Sequence, residues 1–301
     1  MALTKGFVTI ATGKEQYYKI ARNLLRSYRF TTKNPFPFAI LCDTENEYTK
    51  EFDDIRIFEN PTRSYLDKLN MFDLLPYDIN IFIDADCLVF RDINRLFDIF
   101  ENADDFCCYG EVLPLDHKRS WFDYRNLNKD LQKQIDYGMD LHGGIYYMRK
   151  TERCKKIFQD AKHFSKNYAD YKFRSFATPA DEPVIALSMA FNKCKPTDHN
   201  LENVLICYWE HERCFDMNIL NGIALCKNTE KTADIVHFGT THTQSVTYKK
   251  VIFDLESHIG YEKVNKITFV DYLQELSTYA KRFFSNPKSA IKKIKGFIKQ
   301  N

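Results

Sequence analysis

Short apolar runs alternate with amphipathic stretches along the first part of the chain. The runs are rich in β-branched and aromatic residues and end at turn-forming residues, a pattern that predicts buried strands. The stretch from Glu15 to Arg29 places apolar side chains at i, i+3, i+4 and i+7, the stripe of an amphipathic helix. The pattern predicts strands at 6–11, 38–42, 55–58, 80–84 and 105–109, and helices at 15–29, 66–75 and 93–100.

The second half of the chain has similar elements with longer connections between them. Its pattern predicts strands at 143–148 and 235–238, and helices at 151–168 and 182–191. Strands that alternate with helices are typical of an α/β fold with a mostly parallel sheet that helices cover on both faces. A length of 301 residues suits one large domain, so we predict a main domain over 1–262 and a helical, basic tail over 263–301.

The nine cysteines are scattered along the chain, and their number is odd. The sequence has no CxxC pair and no cysteine–histidine spacing of the kind that zinc sites use, so we predict neither a disulfide framework nor a zinc site. Unpaired cysteines suit a reducing compartment, and no signal peptide or membrane-spanning run is visible. The sequence therefore predicts a cytoplasmic protein.

The last residues of the chain are strongly basic. Residues 279–301 contain Lys281, Arg282, Lys288, Lys292, Lys293, Lys295 and Lys299, and all 41 acidic residues lie outside them. Apolar residues recur at helical spacing between these lysines, as in basic helices that lie on anionic membrane surfaces. We predict a peripheral position on the inner face of a membrane, with a frayed or packed terminal helix as the alternative. Nucleic acid is not expected as a partner, because the basic run is confined to one end.

A wholly apolar strand runs directly into Asp84, Ala85 and Asp86. Ligands bind beyond the carboxyl ends of strands in open α/β sheets, and alternation along an extended segment would send both acids to the same side. Hard carboxylate oxygens suit Mn²⁺ or Mg²⁺, ions that also bind phosphate oxygens and help a diphosphate to leave. This DxD segment therefore predicts a metal-assisted site for a nucleotide diphosphate.

Two other classes of protein fit a strand that ends in DxD. Haloacid-dehalogenase phosphatases use the first aspartate as a nucleophile, but their motif lies on the first strand, whereas several elements precede Asp84 here. A non-catalytic protein that binds nucleotide sugars is the other alternative. The first predicts phosphate release from small phosphoesters, and the second predicts nucleotide affinity without turnover.

Several further segments stand in a recognisable order around the DxD. They are 8–12 with Tyr17, then 65–69, 82–89, 141–145, Asp181-Glu182 and 236–239. Together they resemble glycosyltransferase family 8 and related retaining enzymes, the group that includes glycogenin and bacterial lipopolysaccharide galactosyltransferases. The resemblance covers residues from about 7 to 239. It implies a GT-A-type α/β/α sandwich, a Rossmann-like fold, with a helical C-terminal extension.

The same resemblance implies an activity. It would be the metal-dependent transfer of a hexosyl group from a UDP-sugar to a hydroxyl of a glycan or lipid-linked glycan, with retention, in lipopolysaccharide or capsule biosynthesis. Asp84, Asp86 and His237 would bind Mn²⁺ or Mg²⁺. Residues near the donor would be Thr9, Ala11, Thr12, Tyr17, Lys68, Asp84, Ala85, Asp86, His142, Gly143 and Gly144, and the catalytic pair would be Asp181 and Glu182.

The chain departs from the family pattern at three places. His142 stands where the family has Asn, Glu182 stands where it has Gln, and the family's phosphate-binding Lys is absent after His237. We interpret Glu182 as a possible nucleophile, because retaining glycosidases use a carboxylate in that role.

Structural roles compete with the functional ones at several of these positions. Asp181 suits a helix N-cap and Pro183 the first helical position. Tyr17 suits the apolar stripe of its helix as well as a uracil ring, and Lys68 suits a solvated helix face. The two glycines suit a bulge or turn before a strand, and His237 suits the core.

Overall fold

The computed structural model describes residues 3–173, 179–197, 204–210, 214–260, 267–275 and 277. Its centre is a six-stranded sheet in the order β3-β2-β1-β4-β7-β6. The first four of these strands are parallel, and β7 and β6 are antiparallel to their neighbours. These strands are β1 (Lys5–Ala11), β2 (Phe38–Cys42), β3 (Asp54–Ile57), β4 (Ile79–Ile83), β6 (Phe106–Leu113) and β7 (Gly138–Arg149).

Helices cover both faces of this sheet because successive strand residues point to opposite sides. Val8 and Phe82 pack with α4 and α5 in one apolar cluster, whereas Phe7 and Ile81 pack with α1 in another. The α-helices of the described residues are α1 (Glu15–Thr31), α2 (Leu96–Ile99), α3 (Lys129–Gln132), α4 (Glu152–Ser165), α5 (Asp181–Phe191) and α6 (Val246–His258). The predicted α/β/α sandwich is confirmed.

Two small sheets lie beside the main one. In the first, β12 pairs antiparallel with β5 and parallel with β8, and in the second β10 lies between β9 and β11. A third apolar cluster joins these strands to α6. The strands are β5 (Cys87–Val89), β8 (Leu205–Cys207), β9 (Phe215–Asn218), β10 (Ile223–Cys226), β11 (Lys231–Thr232) and β12 (Ile235–His237).

Several predicted elements have different bounds in the structure. Residues Tyr65–Leu74 form 3₁₀ turns instead of an α-helix, and α2 is shorter than the predicted helix. The strand predicted at 143–148 begins at Gly138, because β7 continues its pairing with β6 past a bulge at Cys108/Tyr109. Most of the predicted basic tail lies outside the described residues, so the division at residue 262 stays a prediction. Within the described part of the chain, every helix is too short or too polar to cross a membrane.

Candidate functional site

A cavity of about 1300 Å³ opens where β1 and β4 end. The loops that follow parallel strands meet at this edge of the sheet, which is where ligands bind in open α/β folds. Gly143 and Gly144 lie beside it. The residues predicted from sequence that line the cavity are Ala11, Thr12, Tyr17, Lys68, Asp84, Ala85, Asp86, His142, Asp181, Glu182 and His237.

The two acids of the DxD segment belong to a tight turn between strands. Asp84 follows β4, Asp86 precedes β5, and the Cys87 amide donates to the Asp84 carbonyl oxygen at 3.0 Å. The predicted extended segment is therefore wrong. The chain turns here because β4 belongs to the main sheet while β5 joins β12 and β8. The turn itself brings the two carboxylates to one side.

His237 reaches the same point from β12, where it lies opposite Cys87 of β5. Its Nε2 atom is 2.8 Å from an oxygen of Asp86 and 3.7 Å from an oxygen of Asp84. Burial opposes a charge on this imidazole, but the carboxylates of Asp86 and Asp84 outweigh it and raise the pKa of His237. The side chain is thus held in the acidic pocket by electrostatic attraction and is more than an apolar core residue.

Two carboxylates and an imidazole that converge in this way form a ligand set for Mn²⁺ or Mg²⁺. Burial raises the pKa of Asp84, whereas at Asp86 the neighbouring His237 outweighs burial and lowers the pKa. The Thr240 hydroxyl donates to Asp86 Oδ2 at 3.1 Å and so orients that carboxylate from outside. The residues present fit a divalent cation, which would replace the His237 proton as the partner of both acids.

Lys68 lies inside the site and is buried, so the alternative of a solvated helix face is wrong. Its ammonium group is 2.9 Å from Asp84 Oδ1, 3.4 Å from Asp181 Oδ2 and 3.1 Å from the Gly143 carbonyl oxygen. Burial opposes the charge, but the carboxylates of Asp181 and Asp84 outweigh it and raise the pKa of Lys68. Because 3₁₀ turns carry Lys68 inward, this cation ties the DxD turn to the start of α5.

Asp181 and Glu182 are the first residues of α5, which begins one residue earlier than predicted. Ala180 occupies the N-cap position, so the alternative in which Asp181 caps the helix is wrong. Its carboxylate instead accepts a hydrogen bond from the Tyr146 hydroxyl at 2.5 Å. Burial, reinforced by the adjacent Asp181, raises the pKa of Glu182 to about 7. Glu182 is therefore a carboxyl group that titrates near neutral pH on the cavity wall.

His142, Gly143 and Gly144 lie within β7 and not before it. A Cβ atom on Gly143 would lie 3.0 Å from Cγ of Glu182, and one on Gly144 would lie 3.0 Å from Nδ1 of His237. Real Cβ atoms seldom approach so closely, so the backbone needs glycine at both positions to admit these side chains. Burial, together with His237, lowers the pKa of His142 to about 3.

The predicted nucleoside edge is only partly at the cavity. Ala11, Thr12 and Tyr17 line it, and Tyr17 also packs against two apolar clusters. Thr9 is fully buried within β1 and does not line the cavity. The structure therefore does not bring Thr9 to the site, because β1 points this residue into the protein.

Some residues of the cavity wall were not predicted from the sequence. Trp209 lies nearly parallel to the His142 ring, with centroids 6.1 Å apart, and meets the His237 ring edge-on at 4.8 Å. Trp121 and Cys207 also line the cavity. The chain has only 2 tryptophans, and this rarity was the one feature of the sequence that could have indicated a role for them in the site. Nothing in the sequence around Cys207 indicates a role in the site, because the residues that it contacts are distant in sequence.

Comparison with known proteins places this geometry on a familiar fold. No protein-family model matches the sequence, and no curated protein matches it. Among solved structures, the chain is similar to the WbbM bifunctional glycosyltransferase, with a TM-score of 0.54, 13% identity and coverage of 86% of this chain and 52% of that one. It is also similar to the galactosyltransferase LgtC in complex with donor and acceptor sugar analogs, with a TM-score of 0.52, 11% identity and coverage of 88% and 98%. The chain therefore has the GT-A-like fold of these glycosyltransferases, as the sequence predicted.

Proposed function

We propose that the protein is a metal-dependent glycosyltransferase that moves a hexosyl group from a nucleotide-diphosphate sugar, a UDP-sugar, to a hydroxyl of a glycan or lipid-linked glycan. The observation that carries the proposal is the convergence of Asp84, Asp86 and His237 at the wall of one large cavity. LgtC, which has a similar fold, was solved with donor and acceptor sugar analogs.

Each group of cavity residues has a part in this proposal. Asp84, Asp86 and His237 would hold Mn²⁺ or Mg²⁺, and that ion would supply positive charge to stabilise a departing diphosphate. Ala11, Thr12 and Tyr17 lie where β1 ends and suit the nucleoside. Lys68 holds the Asp84 and Asp181 carboxylates in place. Trp209 lines the cavity, and its aromatic ring is of the kind that packs on sugar rings.

The position and the pKa of the Glu182 carboxyl group support a transfer that retains the anomeric configuration. Its carboxyl group lines the cavity close to Gly143, and its pKa of about 7 leaves much of it ionised at neutral pH. An ionised carboxylate can attack the anomeric carbon from the face opposite the diphosphate and form a glycosyl-enzyme, which the acceptor hydroxyl then resolves.

A panel of UDP-sugars with Mn²⁺ tests the proposed reaction. We expect slow, metal-dependent release of UDP from one sugar of the panel, because water substitutes for the missing acceptor. Asp84→Asn should abolish this release, and chelation should abolish it in the wild type. Phosphate release from small phosphoesters without UDP-sugar cleavage would favour the phosphatase alternative. Tight UDP binding with no turnover of any sugar would favour the non-catalytic one.

The basic tail adds a proposal about location. We propose that residues 286–301 hold the protein peripherally on the inner, anionic face of a membrane. Lysines near such a surface contribute about 1 kcal/mol each, or roughly fivefold in affinity per lysine.

Deletion of residues after Ser285 should abolish binding to vesicles that contain phosphatidylserine. A variant with Lys292, Lys293, Lys295 and Lys299 changed to Gln keeps the apolar residues and isolates the charge. Unchanged vesicle binding by both variants would rule out the tail as the anchor.

A further inference from the structure

Three side chains with nitrogen or sulfur donor atoms meet at the cavity wall. His142, Cys207 and His237 each offer one ligand atom, and these atoms lie within 4.8 Å of one another. The closest pair is His142 Nε2 and Cys207 Sγ, which are 2.9 Å apart. All three side chains line the cavity, so an ion in solution can reach them.

The backbone fixes this group rigidly. Cys207 and His237 end two parallel strands, β8 and β12, and lie opposite each other in the pairing register. His142 comes from β7 of the main sheet, beside the bulge. Because the donors belong to three strands, their separation does not depend on a flexible loop. The three residues lie far apart in the sequence, so the sequence does not show the short spacing that is typical of zinc ligands.

An independent feature points to a ligand at this place. The Nδ1 atom of His237 is buried and has no hydrogen-bond partner, although its Nε2 atom faces Asp86. A Cβ atom on Gly144 would lie 3.0 Å from the Nδ1 atoms of both His142 and His237. Glycine at this position therefore lets both rings pack closely against the backbone. Buried polar atoms are almost always paired, so the orphan Nδ1 atom of His237 calls for a partner.

We propose that His142, Cys207 and His237 form a binding site for a soft divalent cation, Zn²⁺. Two imidazoles and a thiolate are a zinc ligand set, and Mn²⁺ and Mg²⁺ prefer oxygen donors instead. On binding, the Cys207 thiol loses its proton to solvent and the sulfur lone pair bonds to the ion. A water molecule from the cavity completes a tetrahedral shell. The Gly144 amide donates to His142 Nδ1 at 3.1 Å, so His142 releases this hydrogen bond and moves its proton to Nδ1 when Nε2 binds the ion.

This site shares His237 with the proposed metal site of the transferase. A neutral imidazole has one nitrogen with a free lone pair, so His237 can serve either Zn²⁺ through one nitrogen or Mn²⁺ through the other. Zn²⁺ therefore excludes the transferase metal from its third ligand and acts as an inhibitor. This consequence rests on the proposed function, whereas the zinc site itself does not.

Cobalt spectroscopy tests the site without any activity measurement. Co²⁺ replaces Zn²⁺, and a cysteine ligand gives a thiolate-to-cobalt charge-transfer band in the near ultraviolet. We expect this band in the wild-type protein and its loss on addition of one equivalent of Zn²⁺. Cys207→Ser should abolish the band. Cys214→Ser is the matched control, since Cys214 is unpaired and lies outside the site, and it should keep the band.

Affinity and fold are checked on the same variants. Competition with a chromophoric chelator should show Zn²⁺ affinity at least about 100-fold weaker in Cys207→Ser and in Cys207→Ala, because removal of a ligand costs more than loss of an outer partner. Circular dichroism identifies any variant that fails to fold. A wild-type protein that binds Co²⁺ without a thiolate band, or a band that survives in both Cys207 variants, would overturn the proposal. If the Asp86→Asn variant loses UDP binding but keeps the cobalt band, the zinc site is distinct from the metal site of the transferase, as proposed.

Discussion

Replacement of Lys68 by methionine should lower the free energy of unfolding by about 3 kcal/mol, because removing one partner of a buried ion pair leaves its carboxylates uncompensated. The ammonium group is buried and contacts Asp84, Asp181 and the Gly143 carbonyl oxygen. Methionine keeps most of the side-chain volume but removes the positive charge and the donor that these three acceptors share. Urea unfolding of the two proteins at pH 7 measures the difference.

The matched control for this variant is Lys156→Met. Lys156 forms an ion pair of 2.7 Å with Asp160 one helical turn away, but its side chain is 54% exposed. An exposed pair of this kind contributes only about 0.3–0.5 kcal/mol, since water screens it. Equal losses in the two variants would show that the Lys68 contacts are no stronger than a surface pair, and would contradict the account of the site.

Glu182→Gln should lower the rate of glycosyl transfer about 1000-fold, within the range that a catalytic group contributes. An amide cannot attack the anomeric carbon, and it is nearly the same size as the carboxyl group. In the wild type the rate should rise with pH through about 7, the pKa of Glu182, because the ionised form is the nucleophile. A transfer rate and product configuration that are unchanged in the variant would exclude the nucleophile.

Comparison of the wild type with the Glu182→Gln variant also shows whether the Glu182 carboxyl group is buried. The pKa of Glu182 is higher in the folded protein than its ordinary value of 4.5. The folded state therefore binds more protons between about pH 4.5 and 7, and wild-type stability falls as pH rises through this window. Relative to Glu182→Gln, the wild type should lose about 2 kcal/mol between pH 5 and pH 8. A stability difference that does not vary with pH would mean that Glu182 is solvated.

The parallel half of the fold was predictable from sequence because its signals are local. Buried parallel strands are continuous apolar runs, and β2 and β4 each consist of five buried residues. The DxD at its end follows from the same pattern. His237 was predicted through the family resemblance, and the structure places it beside Asp86 because β12 pairs with β5.

The remaining features depend on contacts that are distant in sequence. Lys68 is polar and lies in a helical pattern. Only its contacts with the Asp84 carboxylate and the Gly143 carbonyl oxygen, 16 and 75 residues away along the chain, show that it is buried. Asp181 is a good N-cap by composition, yet the Tyr146 hydroxyl and Lys68 hold its side chain inward. The start of β7 at Gly138 depends on pairing with β6, and no local signal marks it.

The central claim is that Asp84, Asp86 and His237 bind the metal that holds a nucleotide diphosphate. Calorimetric titration of UDP into the protein, with and without Mn²⁺, tests it most directly when the Asp86→Asn variant is titrated alongside. We expect UDP binding that requires Mn²⁺ in the wild type and is lost in the variant, while both proteins unfold cooperatively in urea. Absence of UDP binding in the wild type with Mn²⁺, or equal binding by the two proteins, would contradict the claim.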